Sequence, residues 1–492
     1  MSKKTKTIDE LLKEAIVSEE RQRFKIPENW IWIRLGSITE IVGGGTPKSS
    51  IEEYYFNGHI PWLTPADLSG YKDMYIQNGR RNITELGLAK SSAKILPENT
   101  VLLSSRAPIG YVVIASNEVS TNQGFKSFVP SSAYYPQYLY WYLRFSTNYL
   151  ESMASGTTFK ELSGSKSKEI SFPLPPLTEQ KRIAEKVERL LGKIDEAKRL
   201  IEEAKETFEL RRVAILDKAF SGELTAKWRK ENKEVVHAFD YIRIIDDKRR
   251  NKLLPKEKPN YLSYKFERCV SKIEKLPSTW VQVPVGFLCD CIVPGRDKPK
   301  SFTGDIPWIT IPDINQDYLN KSDASSYLSE KEIKEVKAKV IPSDSVVMSC
   351  VGRFGVSAIV NTPLVINQQL HAFLPSDMIT SKYLMYHIRK LVPYMNEKAT
   401  STTISYLNKT NANSLPINVP PIEEQQKIVE ILDNYFNRDL DAINLIENQL
   451  EQIEQIKASI LSKAFQGELG TNDPSEESAI DLLKEVLQEQ VK

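Results

Sequence analysis

A chain of 492 residues with 41% hydrophobic content is long enough for two or more domains and can bury their cores, which excludes a disordered protein. Its 66 basic and 64 acidic residues leave a formal charge of +2, so nucleic-acid binding would have to come from local basic patches and not from a global field. The four cysteines, Cys269, Cys289, Cys291 and Cys350, contain no C-x-x-C and have only four histidines to complement them, which favours buried free thiols in a reducing compartment over a zinc site.

The N-terminus, MSKKTKTIDELLKEA, is basic and then amphipathic. It lacks the apolar run of a signal peptide, and no segment reaches about 18 apolar residues, so the expectation is a soluble, cytoplasmic protein with no membrane role. Helical spacing through Ile8, Leu11, Leu12, Ala15 and Ile16 marks a helical segment within residues 1–26. A similar helix, AIDLLKEVLQEQ, lies in the tail 470–492, and the shared Leu-Leu-Lys-Glu hints at related, neighbouring places.

From Pro27 a globular unit, 27–174, opens with PENWIWIRLGSITEIVGGGTPK: a tryptophan-bearing strand, a short element and a glycine-rich turn. A second unit, 277–419, opens with PSTWVQVPVGFLCDCIVPGRDKPK. Further down, IPWLTPADL (Ile60 to Leu68) matches IPWITIPDI (Ile306 to Ile314), and Leu96 to Ala115 matches Ile341 to Val360. Asn122-Gln123 matches Asn367-Gln368, Tyr138-Leu139 matches Tyr383-Leu384, and Thr157-Thr158 matches Thr402-Thr403. The second unit differs in lacking the triple glycine and in carrying GRFG (Gly352 to Gly355) near the place of Gly110. Short β-rich runs such as TVLLSS and YVVIAS, separated by Gly, Pro and Asn turns and followed by a helix near Pro136 to Phe145, read as a mixed α+β domain with a curved, mostly antiparallel sheet.

Behind each unit stands the same long helix. PPLTEQKRIAEKVERLL through LDKAFSGEL (175–224) returns without a gap as PPIEEQQKIVEILDNYF through LSKAFQGEL (420–469), 245 residues later. Apolar residues recur at alternating steps of four and three, the period of a coiled coil. The first seam is Ile183, Val187, Leu190, Ile194, Ala197, Ile201, Ala204, Phe208, Arg211 and Ile215. The second is Ile428, Leu432, Tyr435, Asp439, Ala442, Ile446, Gln449, Ile453, Ile456 and Ile460. Equal lengths and shared end motifs favour packing of the two helices on each other over two unrelated surface helices. The chain is thus a tandem duplication of globular unit plus long helix. Between the copies, 225–276 is charged and carries Lys248, Arg249, Arg250, Lys252, Lys256 and Lys258, which read as a solvated helical linker or as a grip on phosphate.

A search for catalysis returns little. GGGTPK (Gly43 to Lys48) lacks the spacing of a phosphate loop, and there is no H-E-x-x-H, no Cys-His pairing suggested by both copies and no N-P-P-[FY]. Pro312-Asp313 followed by Glu332-Ile333-Lys334 resembles the acidic core of metal-dependent nucleases, and is the one enzymatic alternative. What remains is a set of basic residues placed on turns. In the first unit these are Lys48, Arg80, Arg81, Arg106, Lys126, Lys160, Lys166 and Lys168; in the second, Arg296, Lys298, Lys300, Arg353, Lys398 and Lys409. Lysine neutralises phosphate, whereas arginine, asparagine and glutamine can bond two atoms of one base edge. With Ser, Thr and Asn interleaved in Gly156 to Lys168 and Thr400 to Ser414, these residues make a DNA-facing loop in each unit.

The doubled PENW/PSTW opening, the IPW followed by an acidic position, the N-Q pair, the T-T loop, P-P-[LI]-x-E-Q-[KQ]-x-I and K-A-F-x-G-E-L resemble the specificity subunit of type I restriction-modification systems, from Pro27 to Leu469. The resemblance implies two target recognition domains, each reading half of a split site in double-stranded DNA. It implies that the two long helices pair antiparallel as a spacer, with pseudo-two-fold symmetry. Two modification subunits would supply S-adenosylmethionine-dependent adenine methylation, and restriction subunits would bring ATP, Mg2+ and cleavage, so that this chain binds no cofactor or metal and is not itself an enzyme. From Ile183 to Ile215 such a helix spans roughly 50 Å, on the order of one to one and a half turns of DNA. A nuclease, or a coiled-coil scaffold without a DNA role, are the competing readings.

Overall fold

Two helices of 45 and 44 residues, Leu177–Ser221 and Ile422–Phe465, carry the architecture. Each begins directly behind a Pro-Pro pair, where the missing N–H costs nothing and the fixed φ suits a first turn. Each ends at a glycine in the left-handed region, Gly222 at φ +82 and Gly467 at φ +75. Past the glycine the chain folds back, so that Leu224 N–H reaches Lys218 O at 2.9 Å and Glu468 N–H reaches Lys463 O at 2.8 Å. A β-carbon on Gly222 would stand 2.5 Å from Pro277 Cγ, and one on Gly467 2.2 Å from Pro27 Cγ. Both the backbone twist and the close approach therefore require glycine.

The structure, a computed structural model, describes residues 6–106, 108–156, 160–252, 276–399 and 405–491. Thr157-Thr158, Thr402-Thr403, Cys269, Lys256 and Lys258 lie outside the described residues. The chain divides into two units, one built from Met1–Ile201 with Glu447–Lys492 and the other from Glu202–Ile446. Each unit thus combines one globular domain, the opening part of one long helix and the closing part of the other.

In the first unit the strands are β1 (Ile31–Arg34), β2 (Ile41–Gly43), β3 (Ile60–Leu63), β4 (Tyr75–Ile76), β5 (Arg81–Ile83), β6 (Val101–Ser105), β7 (Ile109–Ala115), β8 (Ser120–Thr121), β9 (Phe125–Phe128) and β10 (Ser171–Leu174). A five-stranded sheet runs β2-β9-β6-β7-β4, a three-stranded one β5-β3-β8, and β1 pairs with β10. Pairing is antiparallel except for β4 on β7 and β3 on β8. One face of the larger sheet packs, through Val101, Leu103, Ile114 and Phe128, on the helix Pro136–Phe145 and on Ile183, Val187 and Phe465 of the long helices. The other face closes a smaller core around Leu63, Leu102, Val113 and Phe125. In this unit the long helices run antiparallel, with Asp195 bonded to Lys457 at 2.5 Å and Lys198 to Glu454 at 3.0 Å. The helix Ile8–Ala15 packs beside Ala479–Val491, bringing Ala15 into one core with Leu483 and Leu487.

The second unit repeats the plan with β11 (Val281–Pro284), β12 (Cys291–Ile292), β13 (Ile306–Ile309), β14 (Tyr318–Leu319), β15 (Ser326–Leu328), β16 (Val346–Ser349), β17 (Ser357–Val360), β18 (Val365–Ile366), β19 (Leu370–Phe373) and β20 (Pro416–Val419). Its sheets run β12-β19-β16-β17-β14 and β15-β13-β18, with β11 on β20, so each strand has a counterpart in the first unit. Gly355, at φ +86, is the counterpart of Gly110, at φ +105, so that glycine is kept and only the residues before it change. Here too the long helices are antiparallel: the Arg212 guanidinium lies 4.7 Å from the Phe436 ring, and Asp439 is within electrostatic reach of Arg211. The two charges that break the two seams therefore act on each other.

Among the seam residues, Ile183, Val187, Ile428 and Leu432 are fully buried and Ile453 nearly so, while Leu190, Ile194, Ile201, Phe208, Ile446 and Ile460 are half-buried. Ile456 is a correction: it is 49% exposed. A helix without supercoil drifts about 20° per heptad from the 3.5-residue period, enough to turn one position out of the stripe. The segment read as a linker holds helices Ala226–Glu231 and Ala238–Lys252. The second of these begins like the C-terminal helix: Ala238 N–H bonds Thr279 O at 3.0 Å, as Ala479 N–H bonds Asn29 O at 2.9 Å. The duplication thus extends past the long helix. No described helix is long and apolar enough to cross a membrane.

Candidate nucleic-acid interface

The doubled motif at the start of each long helix is a clamp. Glu179, fully buried, accepts from Trp30 Nε1 at 2.7 Å and from Asn472 Nδ2 at 3.0 Å; Glu424 accepts from Trp280 Nε1 at 2.9 Å and also from Arg229 and from Thr225 Oγ1. Gln180 receives Tyr135 N–H at 2.9 Å and donates to Ala133 O and Pro175 O, and Gln425 receives Thr380 N–H at 2.9 Å and donates to Pro420 O. The closing K-A-F places Phe465 against Tyr138, Tyr142 and Phe145, and Phe220 against Tyr383 and His387. These residues fix each globular domain to the helices. The phenylalanines of the closing motif therefore lie in the domain cores.

On that frame the N-Q pair builds a turn that holds the first loop. Asn122 Oδ1 accepts Gly124 N–H at 2.8 Å and Asn367 Oδ1 accepts Gln369 N–H at 3.0 Å. Gln123 bonds Thr46 Oγ1, and Gln368 Nε2 donates to Gly295 O and Asp297 O at 3.1 and 2.9 Å. In the first unit a β-carbon on Gly44 would stand 2.0 Å from Asn122 O and one on Gly45 2.3 Å from Ala93 N, so these two positions require glycine, whereas Gly43 has open space. Trp62 Nε1 holds Gly45 O at 2.9 Å and Tyr55 OH holds Pro47 O at 2.6 Å, leaving Lys48 exposed at the end of a fixed loop. The corresponding loop of the second unit exposes Arg296, Lys298 and Lys300.

The remaining basic residues are spread more widely. Arg80 is exposed, its backbone N–H tied to Asp67 at 3.0 Å, and Arg81 is exposed on β5 opposite Trp62. Lys160, Lys166 and Lys168 are exposed, the last two on the short helix Gly164–Lys168. Arg353 is exposed on the turn between β16 and β17, where its carbonyl accepts Ser349 Oγ at 2.6 Å. Lys398 pairs with Glu397 at 3.4 Å and lies over the Tyr394 ring, and Lys409 opens the short helix Lys409–Asn413. Arg106 is half-buried, and its backbone pairs with Glu161 in an isolated β-bridge.

Lys126 departs from its expected place on an exposed turn. It sits within β9, 7% exposed, with Nζ 3.3 Å from Ser105 Oγ and 3.7 Å from Glu161 Oε1. Burial pushes its pKa down, and Glu161 pulls it back up. It ties the segment after residue 160 to the sheet. At the equivalent place of the second unit stands His371, fully buried with neither ring nitrogen hydrogen-bonded; burial and the Lys409 charge push it down to about 4. One scaffold therefore holds a buried cation in one unit and a neutral imidazole in the other.

The residues of the nuclease alternative have structural work. Asp313, buried, accepts Thr310 N–H at 2.7 Å and Ser325 N–H at 3.1 Å, along with both hydroxyls. Burial would raise its pKa, but the bonds from Ser325 and Thr310 outweigh that and lower it. Glu332 caps its own helix through Ser329 N–H at 2.7 Å and accepts from Ser301 and Thr303; the Ser301 hydroxyl leads the set of bonds that push it down to about 2. Asp67 in the first unit makes the same Thr64 cap as Asp313 makes with Thr310. Lys334 points away, 81% exposed. Among the described residues no group of three His, Cys, Asp or Glu side chains could hold a metal ion.

Comparison with known proteins agrees with this doubled plan. The chain is 30% identical over 459 residues to the type I restriction enzyme MjaIX specificity subunit of Methanocaldococcus jannaschii, covering 90% of this chain and 94% of that protein. It is 22% identical over 469 residues to the EcoKI specificity subunit of Escherichia coli K12, covering 90% of each. Its fold is similar to that of a chain in a structure concerned with complex assembly and conformational transition of the type I R-M system, with 20% identity and a TM-score of 0.67 over 91% of this chain and 100% of that one. It is also similar to the HsdS subunit from Thermoanaerobacter tengcongensis, with 20% identity and a TM-score of 0.53 over 91% and 99% of the two chains. Residues 27–206 and 277–455 each match the family described as type I restriction modification DNA specificity domain, and the chain belongs to that family.

Proposed function

We propose that this chain is the non-catalytic specificity subunit of a type I restriction-modification complex. Each recognition domain reads one half of a bipartite site in double-stranded DNA, and the long helices set the spacing. Adenine methylation is supplied by two modification subunits that bind S-adenosylmethionine, and cleavage by restriction subunits that use ATP and Mg2+. The observation that carries this reading is the first loop of each unit. An equivalent turn, held by Gln123 or Gln368, carries Lys48 in one unit and Arg296, Lys298 and Lys300 in the other. A common scaffold with different exposed donors is what two different half-sites require. The carboxylates of the nuclease reading, by contrast, are fully engaged in caps.

The test is to map methylated adenines in cells expressing the complex before and after inserting four residues near Glu203. About 6 Å of added helix should widen the gap between half-sites by one or two base pairs and leave both half-sites unchanged. Altered half-sites with an unchanged gap would overturn the assignment of spacing to the helices. Loss of all sequence dependence from the wild-type complex would favour a scaffold.

A further inference from the structure

Because the chain contains its fold twice, exposed positions that serve the two half-sites differ between copies, and exposed positions that serve something common to both halves stay the same. Arg80 and Arg81 lie where the other unit has Ser325 and Ser326, and Arg106 where it has Val351. Tyr75 and Tyr318 are of the second kind. Each opens a two-residue strand at the free edge of its five-stranded sheet, paired in parallel with Ile114 or Ile359. The next residue, Ile76 or Leu319, is buried, while the tyrosines are 40% and 37% exposed.

The surroundings of the two rings also correspond. Gln137 donates to Tyr75 OH, and in the same helical position Lys382 lies 5.2 Å from the Tyr318 ring. The long helix of each unit adds a carboxylate beside this place: Glu188, whose charge acts on Tyr75 and Tyr135, and Asp433, bonded to Lys382 at 2.8 Å and to Tyr386 OH at 2.7 Å. Glu185 and Glu430, one turn earlier, are both exposed, with side chains 61% and 59% accessible. Glu185 and Glu430 pair with Lys181 and Lys427, and Asp433 with Lys382, so the lysines here are matched by carboxylates and neither place offers the unpaired positive charge that phosphate needs; the common occupant is therefore not DNA. An exposed tyrosine combines a large apolar ring with a hydroxyl, the kind of anchor that dominates protein interfaces.

We propose that the edge-strand tyrosines Tyr75 and Tyr318, each beside the exposed helix glutamates Glu185 or Glu430, are two equivalent docking sites for one protein that binds the chain twice, through an apolar pocket rimmed by arginine or lysine. This rests on the proposed function, which makes the modification subunit that protein.

The experiment is co-expression of the full chain with a tagged modification subunit, with stoichiometry read by native mass spectrometry. Wild type gives a 2:1 complex. Tyr75→Ser or Tyr318→Ser alone gives 1:1 at concentrations where the affected site is weakened roughly thirtyfold. The double variant purifies without the partner, and the double Tyr→Phe variant keeps at least part of it. If the serine variants melt early, Glu185→Arg with Glu430→Arg, at exposed positions, must show the same stepwise loss. A double serine or double arginine variant that melts as wild type and still binds two partners overturns the docking sites. A wild-type chain that binds no modification subunit overturns the proposed function instead.

Discussion

Trp30 donates its indole N–H to Glu179 at 2.7 Å across 149 residues of sequence, and Trp280 does the same to Glu424 at 2.9 Å across 144. The tryptophan that opens each domain is thus fastened to the helix that closes it. Glu179→Ala strands the Trp30 and Asn472 donors and should destabilise the first unit by about 1–3 kcal/mol. Glu424→Ala also leaves the half-buried Arg229 guanidinium without its carboxylate and should cost more than Glu179→Ala. Chemical denaturation of the two variants tests the order, and equal losses would show that Arg229 gains nothing from Glu424.

The same carboxylate makes a pH prediction. Burial raises the Glu179 pKa, with the Trp30 and Asn472 bonds pulling against it. The folded state then takes up a proton at higher pH than the unfolded chain, so the group's unfavourable contribution is full above the raised pKa and is relieved as pH falls toward the ordinary carboxylate value. Glu179→Gln, which keeps an acceptor for Trp30, should flatten that part of the stability profile. An unchanged slope above the ordinary carboxylate pKa would count against it.

Glu332 behaves with the opposite sign. Pushed down to about 2 by its hydroxyl and amide donors, it contributes stability above the ordinary glutamate pKa and loses it as pH falls toward 2. Glu332→Gln should therefore melt below wild type at pH 7, with the gap closing as pH is lowered. In an assembled complex the same variant should leave DNA cleavage intact wherever the chain stays folded. Loss of cleavage by a stably folded variant would restore the nuclease reading.

How far the sequence could be read depended on what repeats. The gap-free return of P-P-x-x-E-Q and K-A-F-x-G-E-L was visible because the clamp around Glu179 and Glu424 and the packing of Phe465 and Phe220 tolerate few substitutions. The helix Ala238–Lys252 and its counterpart Ala479–Val491 share only an opening Ala-x-Asp and a buried step, Ala238 and Ile242 against Ala479 and Leu483, too short a match to mark a repeat in sequence. Lys126 was misplaced for a different reason. Phe125–Phe128, FKSF, does not alternate: Phe125 and Ser127 point to one face and Lys126 and Phe128 to the other, and both faces of this sheet are covered, so all four residues are buried. A two-face core defeats a one-face pattern.

Gly222 and Gly467 should be the least replaceable positions of the closing motifs. Alanine at either meets a left-handed φ and a proline ring at 2.5 or 2.2 Å. The left-handed backbone alone costs about 1 kcal/mol, and the displaced proline adds to it. Gly192, within the first long helix and open around its β-carbon position, is the control, since alanine there should stabilise by about 0.5–1 kcal/mol. Melting temperatures that fall at Gly222 and Gly467 and rise at Gly192 would separate the turn requirement from a general intolerance of the helices.

The seam can be tested by contrast within one residue type. Ile183 and Ile428 are fully buried against domain residues as well as the partner helix, so truncation to alanine removes packed methyl groups and leaves a cavity, costing about 2–5 kcal/mol. Ile456 satisfies the same heptad spacing but is 49% exposed, and its truncation should stay within about 0.5 kcal/mol. Alanine also favours the helix by a few tenths of a kcal/mol over isoleucine, which reduces the Ile456 effect further. Denaturation midpoints of the three variants decide the matter. A large loss at Ile456 would mean that the heptad and not the drifting face defines the contact.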